Sequence, residues 1–161
     1  MPVVLLPYRE DSHKAILDDW LGRTHVAKWW GLKRAEGVVE EAGVGQCRII
    51  AEDDVPIGFI RWHVLERKEL DEAGLLEIPE GGVDFDILIG EEPMTGRGYG
   101  PAAINAAVAL LDATIQPPFY TLCTSVDNAR AFSAYRKAVF SLARTFDDPE
   151  NGPTYLLQRF P

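Results

Sequence analysis

The sequence predicts an α+β (α/β-like) domain in which a mixed sheet is flanked by helices, and three observations carry that expectation. Short β-branched and aromatic runs alternate with segments whose apolar residues recur at helical spacing. One run, Val83 to Ile89, leads through a polar stretch into Thr95-Gly96-Arg97-Gly98-Tyr99-Gly100, which opens directly on the apolar helical pattern beginning at Pro101. The 161 residues, 47% of them hydrophobic, suffice for the core of a single domain, expected to span 1–161.

Val3 to Tyr8 reads as the first strand. Asp11 or Ser12 is expected to cap a helix whose apolar face is Ile16, Leu17, Trp20 and Leu21. His25-Val26-Ala27-Lys28-Trp29-Trp30-Gly31 reads as a short aromatic helix or turn, and Arg34 to Ala42 as a further helix weakened by Gly37. Gln46 to Ala51 and Ile57 to Leu65 form an expected hairpin around Glu52-Asp53-Asp54-Val55-Pro56. The acidic stretch Glu66 to Gly82 has few core-type residues beyond Leu75, Leu76 and Ile78 and is expected to be irregular and mobile. Val83 to Ile89 is the central strand. After the glycines, Ile104, Ala107, Val108 and Leu111 share a helix face that ends before Pro117-Pro118. Phe119 to Thr124 is then a strand, Asn128 to Val139 a helix, Leu142 to Phe146 a strand, and Thr154 to Phe160 a last strand after the turn Asn151-Gly152-Pro153.

Composition narrows the function. Lys and Arg number 16 against 25 Asp and Glu, and a formal net charge of -9 argues against nucleic acid as a partner, because phosphate backbones need a basic face. From Glu66 to Glu92 the acids are Glu66, Glu69, Asp71, Glu72, Glu77, Glu80, Asp84, Asp86, Glu91 and Glu92, against only Arg67 and Lys68. A field of that sign concentrates a cationic substrate, although acidic loops also serve solubility alone. Met1-Pro2-Val3-Val4-Leu5-Leu6-Pro7 is apolar but lacks a basic leader and is too short for a signal segment or a span, so a cytoplasmic protein with no membrane partner is expected. Cys47 and Cys123 match no CxxC spacing, and His13, His25 and His63 form no ligand pattern, so reduced thiols and no metal are expected. Monomer and homodimer both remain open.

The glycine turn has the chemistry of an anion cradle. Glycine lets consecutive backbone N–H groups face one way, Pro101 suits a first helical turn, and the helix dipole favours a phosphate there. A phosphate-binding loop of the nucleotidase kind is excluded, since no Lys-Ser or Lys-Thr pair follows the glycines. Gly98-x-Gly100-x-x-Ala103 fits a dinucleotide fingerprint only loosely, because several residues separate strand from glycine and the next strand-like run ends in Thr-Ser-Val. A plain glycine connection is the bland alternative. Likewise Asn128 reads locally as a helix cap, and Tyr135 shares a helical stripe with Phe132 and Val139, as a core aromatic would.

Two motifs in order then point one way. Thr95-Gly96-Arg97-Gly98-Tyr99-Gly100 resembles the pyrophosphate loop of the GNAT acetyltransferases, usually Gln/Arg-x-x-Gly-x-Gly/Ala, with Thr95 where Gln or Arg is usual. Asn128-Ala129-Arg130-Ala131-Phe132-Ser133-Ala134-Tyr135-Arg136-Lys137-Ala138-Val139-Phe140 resembles the same family's Asn-x-x-Ala-x-x-x-Tyr-x-x-x-Gly-Phe helix, with Val139 in place of the glycine. A valine resists positive φ, so that helix end is expected to be built differently. The resemblance implies a mostly antiparallel mixed sheet that splays between the fourth and fifth strands, and acetyl-coenzyme A held by Ile87, Leu88, Ile89, Thr95, Gly96, Arg97, Gly98, Tyr99, Gly100, Asn128, Ala131 and Tyr135. It also implies that the Tyr135 phenol protonates the departing thiolate.

On the central strand Asp84 and Asp86 share a face, because side chains alternate with period two. A charged pair in an apolar strand needs partners or a cavity, and one of two adjacent carboxylates is expected to have a raised pKa suited to proton acceptance. The alternative is an edge facing solvent. Trp20-Leu21-Gly22-Arg23-Thr24-His25-Val26-x-x-Trp29-Trp30-Gly31, Pro56-Ile57-Gly58-Phe59, Phe85-Asp86 and Pro149-Glu150-Asn151-Gly152-Pro153-Thr154-Tyr155 resemble the aminoglycoside 6'-N-acetyltransferases over nearly the whole chain. That resemblance makes Asp86 the expected proton acceptor, Glu77 and Glu80 binders of a cationic small-molecule amine, and Cys123 a departure where an acid is usual. Of Trp29 and Trp30, one is expected to pack and the other to line the acceptor cleft. Siderophore-type or protein N-terminal acyltransfer, and a non-catalytic acyl-coenzyme A binding module, are the competing readings.

Overall fold

The structure, a computed structural model, describes residues 2–161. Seven strands form one sheet: β1 (Val4–Pro7), β2 (Cys47–Glu52), β3 (Val55–Val64), β4 (Val83–Ile89), β5 (Tyr120–Ser125), β6 (Ser141–Asp148) and β7 (Gly152–Arg159). Their order is β1-β2-β3-β4-β5-β7-β6, antiparallel throughout except where β4 runs parallel to β5. The β2–β3 turn is tight because Asp53 and Asp54 both adopt positive φ, at 49° and 62°, as the commonest two-residue hairpin turn demands.

Six helices cover the two faces: α1 (Glu10–Gly22), α2 (Thr24–Trp30), α3 (Ala35–Ala42), α4 (Arg67–Glu72), α5 (Tyr99–Ala113) and α6 (Ala129–Lys137). Alternation along β4 assigns the faces. Val83 and Phe85 enter an apolar cluster with Ile104, Ala107, Val108 and Leu111 of α5 and Tyr135 of α6, and Phe85 stacks on Tyr120 at 5.5 Å. Leu88 enters the opposite cluster with Leu17, Trp20 and Leu21 of α1, Val38 of α3 and Phe59 of β3. Asp84 and Asp86 share the Leu88 face, as period two requires.

Three expectations are corrected. The cap of α1 is Arg9 in extended conformation, with Asp11 inside the first turn, and the acceptor for the Arg9 N–H is His13 Nδ1 at 2.9 Å. Glu66 to Gly82 is not a loose acidic loop. It contains α4, started by a reciprocal Glu66–Glu69 capping box, and Leu65, Leu70, Leu75 and Ile78 pack on Phe119 and Leu156 from distant strands. Finally, Val139 adopts the left-handed conformation, φ 68°, so the helix end keeps the geometry of the missing glycine and accepts a β-branched residue in it.

Candidate active site

The β4–β5 ladder is short. Only Val83, Phe85 and the intervening Asp84 have partners, at Tyr120, Leu122 and Thr121, although both strands continue. Beyond these three rungs the strands part. The Val83 N–H bonds the Phe119 carbonyl, and the Gly90 N–H bonds Ile57 on β3, so alternation turns the N–H groups of Ile87 and Ile89 into the opening and that of Leu88 away from it, toward Phe59. The Ile89 carbonyl accepts from His25 at 2.9 Å. Trp20 closes the top of β4: its indole N–H donates to Glu91 at 2.6 Å, and a Cβ on Gly90 would stand 2.1 Å from its ring, so only glycine fits there.

The glycine turn sits at the mouth of the opening. A short 3₁₀ turn, Glu92–Met94, leads to Gly96 (φ 73°) and Gly98 (φ 90°), and Gly98 caps α5 in left-handed conformation. The first helical bond runs from Ala102 to Gly98, and Pro101 has no N–H, so Tyr99 and Gly100 keep their helix-start donors. Gly100 is itself helical, and a Cβ placed on it or on Gly96 meets nothing within 4 Å. Open space, free donors and a helix N-terminus together fit a pyrophosphate. Tyr99 contributes its backbone alone, since its ring is buried in the core. Thr95 donates to the Glu92 carbonyl at 2.6 Å and accepts from Arg130 Nη1 at 3.0 Å, so a guanidinium from α6 stands where the loop lacks one. Asn128 caps α6, its side-chain oxygen accepting from Ala131 at 3.2 Å, and Ala131 packs on the core. Both helix-capping and the motif position hold for this asparagine.

A polar stripe crosses the sheet face on the other side of the opening. Asp84 accepts from the Thr121 hydroxyl at 2.6 Å. Burial, then the neighbouring Asp86, push its carboxyl up to about 7. Asp86 instead accepts from Arg61 Nε at 3.0 Å. Arg61 is buried, donates to the Val38 carbonyl at 2.8 Å and to Glu41 at 3.2 Å, and lies 5.5 Å from the centre of the Trp30 ring. Trp30 thus belongs to this stripe, while Trp29 stacks under Lys28. Tyr135 is buried in the apolar cluster with Phe85 and α5, and its hydroxyl makes no hydrogen bond among the described residues. Burial, Asp86, Cys123 and Asp84 all raise its pKa, so it keeps its proton. Burial and the same acids push the Cys123 thiol well up, which leaves it a poor nucleophile.

The stripe differs from the expected one in its partners. Arg61, Thr121, His63 and Glu69 were not singled out as site residues by sequence; a buried arginine in an apolar strand was the available signal for Arg61. Glu77 gives its carboxylate to Arg144 on β6 at 2.6 Å, and Glu80 is exposed and unengaged. No group of three or more metal-ligating side chains occurs, and no helix is long and apolar enough to cross a membrane, among the described residues.

A parted β4–β5 pair and a glycine cradle at the start of the following helix belong to one kind of fold, and comparison with known proteins gives its family. The family model for the acetyltransferase (GNAT) domain matches residues 9–148, and the chain belongs to that family. It is an acetyl-coenzyme A dependent N-acetyltransferase. The curated aminoglycoside N(6')-acetyltransferase type 1 of Klebsiella pneumoniae is 26% identical over 166 residues, covering 96% of this chain and 82% of the relative. The crystal structure of aminoglycoside acetyltransferase AAC(6')-Ib with coenzyme A and kanamycin superposes with a TM-score of 0.81 at 24% identity, covering 99% and 95% of the two chains. An aminoglycoside N(6')-acetyltransferase from Legionella pneumophila superposes with a TM-score of 0.75 at 18% identity over 98% and 91%.

Proposed function

We propose that the enzyme acetylates a primary amine of a polycationic small molecule of the aminoglycoside class, by direct transfer while both substrates are bound. The observation that carries this reading is the Asp84–Asp86 pair, set on β4 where the strand leaves β5 and near enough for both charges to raise the Tyr135 pKa. The curated relative's substrate class and the chain's net charge of -9 support it.

The N–H groups of Ile87 and Ile89, the loop Gly96–Gly100 with Thr95, Arg97 and Arg130, and the Asn128 side chain would hold the coenzyme. When bound, acetyl-coenzyme A supplies an acetyl group activated as a thioester. Asp84 accepts a proton from the substrate nitrogen, because a carboxyl titrating at about 7 is half-available as a base at neutral pH. Asp86, paired with Arg61 Nε at 3.0 Å, attracts the ammonium and fixes its approach. The Tyr135 hydroxyl, whose proton is retained, serves the departing sulfur. Trp30 lines the acceptor side.

Thiol release measured over kanamycin, ribostamycin, spermidine, hydroxylated lysine derivatives and peptides tests the assignment. Turnover is expected with the aminoglycosides, with kcat/KM falling as salt rises, since exposed charges are screened over roughly 8 Å at physiological ionic strength. Turnover confined to peptides or hydroxylated lysines would reject it in favour of the protein N-terminal or siderophore-type reading, and coenzyme binding without any turnover in favour of a binding module.

A further inference from the structure

The polar stripe does not stop at the two aspartates. His63 stands opposite Asp84 in the β3–β4 register, and its Nε2 lies 2.7 Å from Glu69 Oε1. Glu69 comes from α4, where its other oxygen accepts the Glu66 N–H at 3.4 Å, so the helix start fixes where this carboxylate points. The His63 and Glu69 side chains are 41% and 40% exposed, whereas the Asp84 carboxylate is closed on one side by Thr121. Asp84 is thus flanked across the β3–β4 register by side chains that reach solvent.

We propose that His63, oriented by Glu69, is the proton exit from Asp84, a relay that carries to solvent the proton acetyl transfer must discard. The proposal rests on Asp84 as the proton acceptor. A substrate ammonium must shed two protons to become an amide N–H. The nitrogen lone pair forms the new C–N bond, the C–S bond breaks with its electron pair going to sulfur, and one proton reaches sulfur by way of the Tyr135 hydroxyl. The other goes to Asp84, then to the His63 imidazole, then to water. No oxidant or further reactant is needed.

Both groups are held above their ordinary proton affinities. Burial alone would lower the His63 pKa, but Asp84 and the Glu69 bond outweigh it and leave it above the usual 6.5, while Asp84 is itself raised. The groups facing this pair are Arg61 from β3, Asp86 from β4, Cys123 from β5, Glu69 from α4 and Tyr135 from α6. Cys123 and Tyr135 stay protonated, so the pair titrates in a nearly constant field.

The test compares Asp84→Asn, His63→Gln and Glu69→Gln in the full chain, with acetyl-coenzyme A and whichever of kanamycin, ribostamycin and spermidine turns over fastest. His63→Gln is expected to lower kcat by about 10–100-fold with the acetyl-coenzyme A KM unchanged. Its acid limb of kcat/KM should move to higher pH, because Asp84 loses a neighbouring cation. Glu69→Gln keeps the capping box and should lower kcat by less than His63→Gln, because the imidazole loses its orienting carboxylate but stays in place. The His63 titration followed by NMR should fall to lower pH in both Glu69→Gln and Asp84→Asn, whatever the substrate. An acid limb that stays in place in His63→Gln, or an unmoved His63 titration, would overturn the relay. If Asp84→Asn is inactive while His63→Gln is wild type in rate and profile, the relay fails and Asp84 stands; if Asp84→Asn is itself fully active, the reading of Asp84 fails.

Discussion

Arg61 Nε donates to Asp86 at 3.0 Å, and the remaining edges of that guanidinium are spent inside the protein, on the Val38 carbonyl and on Glu41. The pair does two things together: it gives Asp86 a cationic partner and seats α3 against the sheet. A buried guanidinium left without its carboxylate keeps its desolvation cost and loses its compensation.

Asp86→Asn is therefore expected to lower Tm as well as the acetylation rate, and a thermal melt beside a kinetic assay separates the two losses. Asp86 is 40% exposed, so the stability loss should fall below the several kcal/mol of a fully buried pair.

Asp84→Asn should do the opposite to stability. The folded Asp84 titrates at about 7, above the roughly 3.9 of an unfolded aspartate, so the native state binds the extra proton. Its stabilising contribution is complete below pH 4 and is lost as pH rises through 7. Asparagine removes this loss, so the variant should melt higher than wild type at pH 8, by roughly 2–4 °C for each kcal/mol relieved, while kcat falls by about 10²–10⁴-fold. Equal melting of both proteins at pH 8 would contradict a raised native pKa.

Tyr135→Phe removes a hydroxyl that makes no hydrogen bond among the described residues, so Tm should hold within a degree or two while kcat drops by about 10²–10⁴-fold. A loss of Tm with unchanged specific activity would return Tyr135 to a packing role.

The glycine turn separates strain from obstruction. Gly98→Val forces a β-branched residue to φ 90° and should cost about 1–3 kcal/mol of stability together with coenzyme binding. Gly100→Ala meets nothing and sits in a helix, where alanine is favoured by up to about 1 kcal/mol, so it should hold or raise Tm while acetyl-coenzyme A binds more weakly by calorimetry. Unchanged affinity in Gly100→Ala and Gly100→Val would remove the cradle from the coenzyme site.

Val139→Gly relieves a valine at φ 68° whose side chain is 68% exposed. Stability should rise by about 1 kcal/mol, net of the greater chain entropy of glycine, with kinetics unchanged.

Much of the fold is legible in the sequence. Alternation at Val83 to Ile89 gave the strand and put Asp84 beside Asp86, because a two-residue period needs no knowledge of neighbours. The glycine spacing gave the turn, since positive φ at Gly96 and Gly98 is a local requirement. Partners were not legible. Arg61 meets Asp86 across 25 positions of sequence, and the pairing that distinguishes the two acids exists only in the β3–β4 register. The α4 segment looked loose because its few apolar residues find their counterparts at Phe119 and Leu156, outside any local window. Val139 misled for the reverse reason: local preference was right about the cost, and the packed ends of α6 and Phe140 override it.

The three-rung seam between β4 and β5 divides the sheet into two leaves, yet the apolar cluster beneath does not respect the division. Ile50, Ile60 and Phe85 from one leaf and Tyr120, Leu122 and Leu157 from the other are welded into a single mass against α5. The wedge is thus propped open from below by the core itself. A coenzyme entering it has no closed sheet to prise apart, so its contacts with the backbone go undiminished into affinity, the advantage of a receptor shaped before its ligand arrives.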